Sequence, residues 1–574
     1  MPLPRFVTRA GMSDIDDCSP LSLGRIGELL RATTLPAIVD WSSRVAARLC
    51  MESEPYDKAI QMELVDGLTK PGGRLRRKIK AFDIRNGARG YIAYFDEPQV
   101  LLALRLAVVV NANCAMPGVA PKPDTFAQAL IGLNDHLKYE DDLADDESVL
   151  RNILPDMLFR THDSPVDSLG RWKLLLDDMP RVVQQRGKLQ NYDLGSEFRK
   201  AAGVAVADHR ALTAGLSAVF HALRTERPLA QAGHAVRWSH WTSKYELADS
   251  EWAHVSGLVA TPHQFQSEFQ DLAPAGEAPY EFLPFRRHPV LRVEDLVWLV
   301  DERFLHDMAT VGVYHRLFTH YVAAGAKAER NLLSDLLGHA FEEYVGLLLR
   351  ETYRGTEPSD ILRLDDEVGG YGSSVCDFAL LEGDTLLLLE CKSHLITQDA
   401  AVRANIDRYK QDLEKTVGIA AGQLMATIDS IDAGRVTLRG VNPKSLRRYL
   451  PVVVTLQNIP HDYFTGQIIS TEAAKSGLAV TTPRRLRLQV LDVATLEQFG
   501  PHSSPTERLT DLLAGKCEEE DRLKHPVSSW NHFAGRFHSH RPNPLLREAT
   551  VRATDEMREF WHSRERPLEV GTNR

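Results

Sequence analysis

Residues 375–394 have the sequence VCDFALLEGDTLLLLECKSH, in which two apolar segments flank Gly383-Asp384. A two-residue Gly-X turn is one of the connections that close tight hairpins, so this stretch predicts two antiparallel strands. Pairing Glu382 with Thr385 across the turn fixes the register of the whole hairpin, because the numbers of paired residues then always sum to 767.

This register brings three charged side chains together. Asp377 lies opposite Glu390, and the alternation of side chains along a strand places Lys392 on the same face. Residues 386–389 are a continuous apolar run, which is typical of a strand covered on both faces. Charged groups are costly there unless they are paired or bind a metal ion. The alternative is a partly exposed hairpin that carries three charges by chance.

A helix predicted over residues 335–353 supplies a further acid. With Phe341 at the centre of its apolar face, a rotation of about 100° per residue places Glu342 at the edge of the buried stripe. Glu343 is predicted to face solvent. A glutamate in a helix is by itself usually a solvated surface residue, so the interest of Glu342 depends on the hairpin that follows it.

Residues 334–499 resemble the PD-(D/E)XK nuclease superfamily, which has the restriction-endonuclease-like fold. The literal Pro-Asp of the motif is replaced here by Cys376-Asp377. The matching features are GHAFEEYVGLLL as the opening helix, Asp377 as the first strand acid, Glu390-Cys391-Lys392 as the ExK element, and residues 415–424 as the following helix.

The resemblance implies an α/β nuclease core, a mixed sheet with flanking helices, and a site that uses Mg²⁺, with Mn²⁺ as a substitute. The implied metal ligands are Asp377, Glu390 and the backbone carbonyl of Cys391, with Glu342 in or beside the coordination sphere. Lys392 would orient the attacking water or stabilise developing charge. Glu342, Asp377, Glu390 and Lys392 are thus the predicted catalytic residues.

Two residues of the following helix are weaker candidates. Lys415 and Gln423 are predicted to touch the phosphate backbone of the substrate, with ordinary positions on a helix surface as the alternative. Cys376 faces Cys391 in the predicted register, on the side of the hairpin away from the charges, and both are interpreted as small core hydrophobes.

Composition predicts a multidomain chain. Apolar residues recur at helical spacing through much of the first 225 residues, while residues 271–289 are rich in Pro, Gly and Ala. The predicted regions are a mainly α-helical N-terminal region, a connecting segment, the nuclease-like domain and a polar C-terminal tail, over residues 1–275, 276–333, 334–516 and 517–574.

The chain is acidic overall, with a formal net charge of −10 over 574 residues. Histone-like coating of nucleic acid is therefore excluded, and contacts with nucleic acid would need local basic patches. Residues 70–89 form one such patch, with eight Lys and Arg around a Pro-Gly-Gly turn. Phosphate binding and a solvated loop are its two interpretations, and the loop is the simpler one.

Cysteine usage and hydropathy predict a cytoplasmic protein without a membrane anchor. The six cysteines include no CxxC pair, and residues 1–17 lack the pattern of a secretory signal. The most apolar stretch, residues 100–110, is too short to span a bilayer, which takes about 20 residues.

These features predict a Mg²⁺-dependent endodeoxyribonuclease that hydrolyses phosphodiester bonds in DNA, as a component of bacterial defence or restriction. The alternatives are a DNA repair nuclease, a catalytically inactive nuclease-fold binding module, and a helical scaffold that acts through its N-terminal region. The N-terminal region is expected to recognise a substrate, a partner protein or a signal. A homodimer is expected if duplex DNA is cut on both strands.

Overall fold

The computed structural model describes residues 8–16, 19–50, 57–86, 92–111, 123–137, 146–160, 165–225, 235–353, 362–364, 375–403, 405–460, 463–499, 508–523 and 543–565. The chain is a mixed α/β protein that divides into two compact units. The first comprises residues 1–141, 195–316 and 554–574, and the second comprises residues 142–194 and 317–553. Each unit is therefore assembled from segments that are far apart in the sequence.

Helices make up most of the described chain. In order they are α1 (Met12–Asp16), α2 (Leu23–Arg31), α3 (Leu35–Cys50), α4 (Lys58–Leu68), α5 (Arg74–Asn86), α6 (Glu97–Asn111), α7 (Pro123–Leu137), α8 (Asp146–Arg160), α9 (Pro165–Lys173), α10 (Met179–Gln185), α11 (Leu194–Ala202), α12 (Val206–Thr225), α13 (Trp238–Lys244), α14 (Asp249–Ser256), α15 (Pro262–Gln270), α16 (Leu283–Arg287), α17 (Glu302–Ala309), α18 (Gly312–Ala323), α19 (Lys327–Thr352), α20 (Gln398–Arg403), α21 (Ile406–Leu413), α22 (Ile419–Asp432), α23 (Tyr463–Lys475), α24 (Val493–Phe499), α25 (Leu509–Leu523) and α26 (Pro544–Arg564).

The strands are short except around the predicted hairpin. They are β1 (Thr8–Arg9), β2 (Ile92–Ala93), β3 (Val236–Arg237), β4 (Val259–Ala260), β5 (Val290–Val293), β6 (Leu296–Leu299), β7 (Leu362–Arg363), β8 (Phe378–Glu382), β9 (Thr385–Lys392), β10 (Arg448–Thr455) and β11 (Gln489–Asp492). Two segments, Leu174–Asp178 and Glu414–Gly418, are π-helical.

The first unit is rich in helices, as predicted for the N-terminal region. It also contains a four-stranded sheet with the order β3-β6-β5-β4. The β5–β6 hairpin falls within residues 276–333, the predicted connecting segment, and its Val290 and Leu299 are buried with Leu212 and Leu216 of α12. Apolar β-branched and aromatic residues follow the Pro-rich stretch directly, which explains a packed hairpin there.

A five-stranded mixed sheet with the order β11-β10-β9-β8-β7 organises the second unit. Strands β7, β8 and β9 are antiparallel, while β9, β10 and β11 are parallel. The predicted hairpin register is confirmed over five pairs, from Glu382–Thr385 to Phe378–Leu389. Gly383 has a φ of 64°, the left-handed conformation that glycine adopts without steric cost. This conformation is the one that a two-residue hairpin turn needs at its first position.

Helices cover both faces of this sheet. Leu386 and Leu388 of β9 are buried with Leu424 of α22 in one cluster. Phe378, which pairs with Leu389, points to the other face, where its ring approaches Gly346 of α19. Side chains alternate along a strand, so α19 and α22 lie on opposite faces. This sandwich explains the unbroken apolar run in β9.

Apolar spacing in the sequence predicts one long helix from about residue 398 to residue 431, whereas the structure has an interrupted one. Asn405 caps a new helix, since its side chain accepts a hydrogen bond from the Arg408 N–H at 3.0 Å. A π-helical turn then separates α21 from α22. Apolar periodicity continues across both interruptions, which is why the sequence indicated one helix.

Much of the predicted polar tail is helical within the described residues. Leu546, Ala549 and Ala553 of α26 are buried, and their spacing of three and four residues puts them on one helix face. This segment keeps the polar composition that was predicted, and these three apolar side chains form the buried face of its helix. His538 and His540 lie outside the described residues.

Candidate active site

Glu390 and Lys392 occupy one face of the sheet near the end of β9. Glu390 is only 2% exposed. The Lys392 ammonium donates to Glu390 Oε1 at 2.6 Å and to Gln423 Oε1 of α22 at 2.7 Å. The buried Glu390 carboxylate and the half-buried Lys392 ammonium thus neutralise each other, and the side-chain amide of Gln423 accepts a second hydrogen bond from the lysine.

Asp377 lies beside these residues but just outside the paired strand. The ladder ends at Phe378–Leu389, and the Asp377 N–H donates to the Leu389 carbonyl at 3.0 Å. One Asp377 carboxylate oxygen, Oδ2, accepts from the Cys391 N–H at 2.7 Å. The carboxylate is therefore held at the Cys391 backbone, close to the Glu390–Lys392 end of β9. The regular Asp377–Glu390 pair that the register predicted is not formed, because the ladder ends one residue earlier.

Cys376 explains the irregularity. Its N–H donates to Thr427 Oγ1 of α22 at 2.8 Å, so the chain turns toward α22 before β8 begins. Cys376 consequently packs in the same cluster as Leu386 and Leu388, on the face that the sequence analysis assigned to the charges. Its predicted position on the opposite face was wrong, whereas its nature as a buried free cysteine is confirmed, like that of Cys391.

The charges of two other acids act on Asp377. Burial is the main cause that raises the pKa of its carboxyl well above the ordinary value, and the negative charges of Glu390 and Glu342 raise it further. The Cys391 N–H and the Lys392 ammonium oppose the increase. Asp377 is thus a carboxyl group whose ionised form is costly without an additional positive charge.

Glu342 approaches from α19, on the opposite face of the sheet from Gln423. Its Oε2 atom lies 3.2 Å from His339 Nδ1 and accepts from Arg363 Nη2 of β7 at 3.3 Å. The prediction that this glutamate is at the edge of the buried stripe is confirmed, since it is half-buried. The negative charge of Glu342 contributes to the raised pKa of Asp377.

Glu343 was predicted to face solvent, and this was wrong. The side chain is 4% exposed and pairs with Arg363 Nη1 at 2.7 Å and with Arg186 Nε at 3.4 Å. Periodicity describes only the helix itself, whereas Arg363 reaches α19 from a strand that follows it in the chain. The same arginine contacts both glutamates and so fixes their orientation.

The two weaker candidates on the following helix differ in position. Gln423 contacts Lys392 directly. Lys415 is exposed in the π-helical turn, and no ion pair or hydrogen bond partner is observed for it within the described part of the chain. The structure therefore brings Gln423 to the cluster and leaves Lys415 on the surface.

The donor set suits a hard divalent cation. Carboxylate and carbonyl oxygens are the ligands that Mg²⁺ prefers, and the charges of Glu390 and Glu342 both act on the buried Asp377. In the described residues, no three His, Cys, Asp or Glu side chains already converge as a metal cage. Lys392, the Cys391 N–H and Arg363 hold the carboxylates instead.

A second polar cluster next to Lys392 was not anticipated. Asp412 of α21 has a buried carboxylate that accepts from the N–H and the hydroxyl of Thr397 at 2.9 and 2.7 Å. His394 Nε2 lies 3.4 Å from the same side chain. The SxH that follows the ExK element is the sequence signal for His394, since an extended chain returns to the same side every second residue.

Comparison of the chain with protein-family models, with curated proteins and with solved structures found no match. In the described parts of the chain, no helix combines the length and the apolar character needed to cross a membrane.

Proposed function

We propose that this protein is a metal-dependent nuclease that hydrolyses phosphodiester bonds, with DNA as its substrate. One observation carries the proposal. Asp377, Glu390 and Lys392 lie close together at the end of one hairpin, where burial and the charges of Glu390 and Glu342 raise the pKa of Asp377. Perturbed acids next to a lysine are typical of sites that perform chemistry.

The topology of the second unit supports this proposal. Helix α19 precedes three antiparallel strands, helices α20–α22 follow, and β10 then pairs parallel to β9. A mixed sheet between an opening helix and a following helix is what the PD-(D/E)XK resemblance implies. The nuclease assignment thus rests on the site residues together with this element order.

Each site residue has a role in the proposed reaction. Asp377, Glu390 and the Cys391 carbonyl, with Glu342 beside them, would hold Mg²⁺ or Mn²⁺. The bound ion supplies Lewis acidity toward the scissile phosphate and lowers the pKa of a water molecule. Lys392 orients the attacking oxygen or stabilises the charge that develops on the phosphate, and Gln423 keeps the lysine in place.

The closest alternative is a nuclease-fold module that binds nucleic acid without cutting it. The presence of both strand acids and the lysine favours an active enzyme, since a decayed site would be expected to lose one of them. The proposed setting is bacterial defence or restriction in the cytoplasm, with DNA repair as the second candidate. The region before residue 276 would recognise a partner protein or a signal.

Incubation of the purified full chain with supercoiled plasmid tests the proposal. We expect nicked or linear DNA with Mg²⁺ or Mn²⁺ and intact plasmid with excess EDTA. Labelled single-stranded DNA and RNA of matched sequence, assayed in parallel, establish the substrate class. DNA that is bound but intact in Mg²⁺ would contradict the enzyme and support the binding module. If the protein neither cleaved nor bound DNA or RNA, both the nuclease and the binding module would be contradicted.

A further inference from the structure

Helix α5 in the first unit carries an unusual concentration of positive charge. The sequence of residues 70–89 is compatible with a solvated loop or with a phosphate-binding patch. The structure shows an α-helix over Arg74–Asn86, so the basic residues occupy fixed faces of a regular element. The basic residues of α5 are Arg74, Arg76, Arg77, Lys78, Lys80 and Arg85.

Half of these basic residues are neutralised within the protein. Arg76 and Lys80 both pair with Asp66 of α4, the latter at 3.2 Å. Lys78 pairs with Asp16 of α1. These three residues connect α5 with the neighbouring helices α1 and α4, and Ile79 of α5 is fully buried.

The other three form an exposed arginine row. Arg74, Arg77 and Arg85 are exposed, and none has an acidic partner among the residues that the structure describes. At about 100° per residue, the three lie within an arc of about 80° on the helix surface. At a rise of about 1.5 Å per residue they extend over about 16 Å along the helix.

We infer that the exposed arginine row of α5, formed by Arg74, Arg77 and Arg85, binds the sugar-phosphate backbone of duplex DNA. Planar guanidinium groups match phosphate oxygens in a bidentate manner. In a chain of net charge −10, an unpaired row of this kind is a local positive surface of the type that backbone contacts require. The choice of DNA rests on the proposed function.

A membrane surface fits this helix less well. Interfacial helices bury a broad apolar face in the lipid. Here Ile79 is inside the protein, and Ile84, 82% exposed, is the one large apolar side chain on the outer side among the described residues of α5. Three arginines around a single isoleucine favour a charged polymer over an acyl layer.

Salt-dependent binding of a fluorescent DNA duplex to the full chain, in EDTA to prevent cleavage, tests the inference. The variant is Arg74→Gln/Arg77→Gln/Arg85→Gln, because glutamine preserves helix propensity. Loss of three phosphate contacts should reduce the slope of log K against log salt by about 2.7. Between 50 and 200 mM salt, the wild type should therefore lose about 40-fold more affinity than the variant.

The matched control is Arg25→Gln/Arg522→Gln/Arg558→Gln. It removes the same charge from exposed arginines that each pair with an acid three residues away, and it should keep the wild-type slope. An unchanged slope in the α5 variant, or no duplex binding by the wild type, would overturn the inference. The inference would also be overturned if the α5 variant lost binding to phosphatidylserine vesicles but bound the DNA duplex as the wild type does.

Plasmid cleavage in Mg²⁺ by the same proteins separates the two proposals. Arginine-dependent duplex binding by a chain that does not cut DNA supports the inference and contradicts the nuclease. Cleavage by a chain whose duplex binding does not depend on the row contradicts the inference and leaves the nuclease standing.

Discussion

Lys392 has two oxygen acceptors, and they differ in what they contribute. Glu390 neutralises the charge of Lys392, whereas the side-chain amide of Gln423 on α22 fixes the orientation of the Lys392 ammonium group. A lysine that rotates freely would lose most of its ability to stabilise charge at one point, because catalytic electrostatics depend on fixed dipoles and charges.

We therefore expect a graded response to substitution at these two positions. Lys392→Ala should reduce single-turnover cleavage about 100-fold or more, as is typical when one charge-stabilising group is removed. Gln423→Ala should cost about tenfold, since one hydrogen bond to a charged group is worth about 1.5 kcal/mol or more. Circular dichroism should show an unchanged fold. A Lys392→Ala variant at the wild-type rate would remove Lys392 from the site.

Asp377→Asn should stabilise the protein against heat in metal-free buffer at neutral pH. Because the folded-state pKa of Asp377 is raised, the folded chain binds more protons than the unfolded chain above the ordinary carboxyl pKa. Stability is therefore lost as pH rises through that window, and the amide variant avoids this loss. Asn can still accept the Cys391 N–H bond. Thermal melts between pH 4 and pH 8 in EDTA measure the difference.

The control for this experiment is Asp384→Asn, the same change at the exposed hairpin turn. It should melt like the wild type at each pH. Addition of Mg²⁺ should raise the melting temperature of the wild type and of the control, but not that of Asp377→Asn. A destabilised Asp377→Asn at neutral pH without metal would contradict the electrostatic picture of the site.

At the scale of elements, a buried ion pair anchors the helix that carries Glu342. Arg171 of α9 and Glu497 of α24 form two hydrogen bonds of 2.6 and 2.5 Å, and both are almost fully buried. The Tyr344 hydroxyl of α19 donates to Glu497 at 2.6 Å. Burial and the charge of Glu497 raise the pKa of this tyrosine well above its usual value, so it remains a donor.

Removing one member of this pair should be much worse than removing both. Glu497→Ala removes the carboxylate that accepts two hydrogen bonds from the buried Arg171 and should lower the free energy of unfolding by about 3–5 kcal/mol. The double variant Arg171→Met/Glu497→Leu should recover much of the loss, because both charges of the pair are then replaced by apolar side chains. Urea titrations of the four proteins give the double-mutant cycle. Additive losses in the cycle would contradict the pair.

The sequence allowed prediction of those elements whose structure is determined by residues close together in the chain. Gly383-Asp384 closes the hairpin, and this turn fixes the register of the five pairs that follow it. The position of Asp377 close to the end of β9 could therefore be predicted, although the ladder itself stops at Phe378. The buried Glu343 was not, because its partner Arg363 belongs to another element. The Arg171–Glu497 pair, 326 residues apart, leaves no periodic signal at all.

At the scale of the whole molecule, composition along the chain predicted helices first and a mixed α/β region later. It missed the assembly of each unit from separated segments. Linear boundaries such as those at 276 and 517 follow from local shifts in composition, whereas compact units are defined by contacts between distant residues. The composition of a segment such as residues 142–194 does not show that it belongs to the same unit as the five-stranded sheet.

If the substrate is duplex DNA, cleavage of both strands should require at least a dimer. One hydrolytic centre cuts one strand, and a two-fold assembly presents two centres to a pseudo-symmetric duplex. Light scattering at the working concentration, combined with a nicking assay, measures both properties. A monomer that linearises plasmid in one binding event would contradict this expectation, whereas a monomer that only nicks would limit the protein to single-strand breaks.

The most direct test compares cleavage of supercoiled plasmid by the wild type, Glu390→Gln and Asp384→Asn, each in Mg²⁺ and in EDTA. Both variants convert an acid of the same hairpin to its amide, but only Glu390 contacts Lys392. We predict Mg²⁺-dependent cleavage by the wild type and by Asp384→Asn, and none by Glu390→Gln. Equal cleavage by all three proteins, or cleavage that persists in EDTA, would contradict a metal-dependent nuclease centred on Glu390.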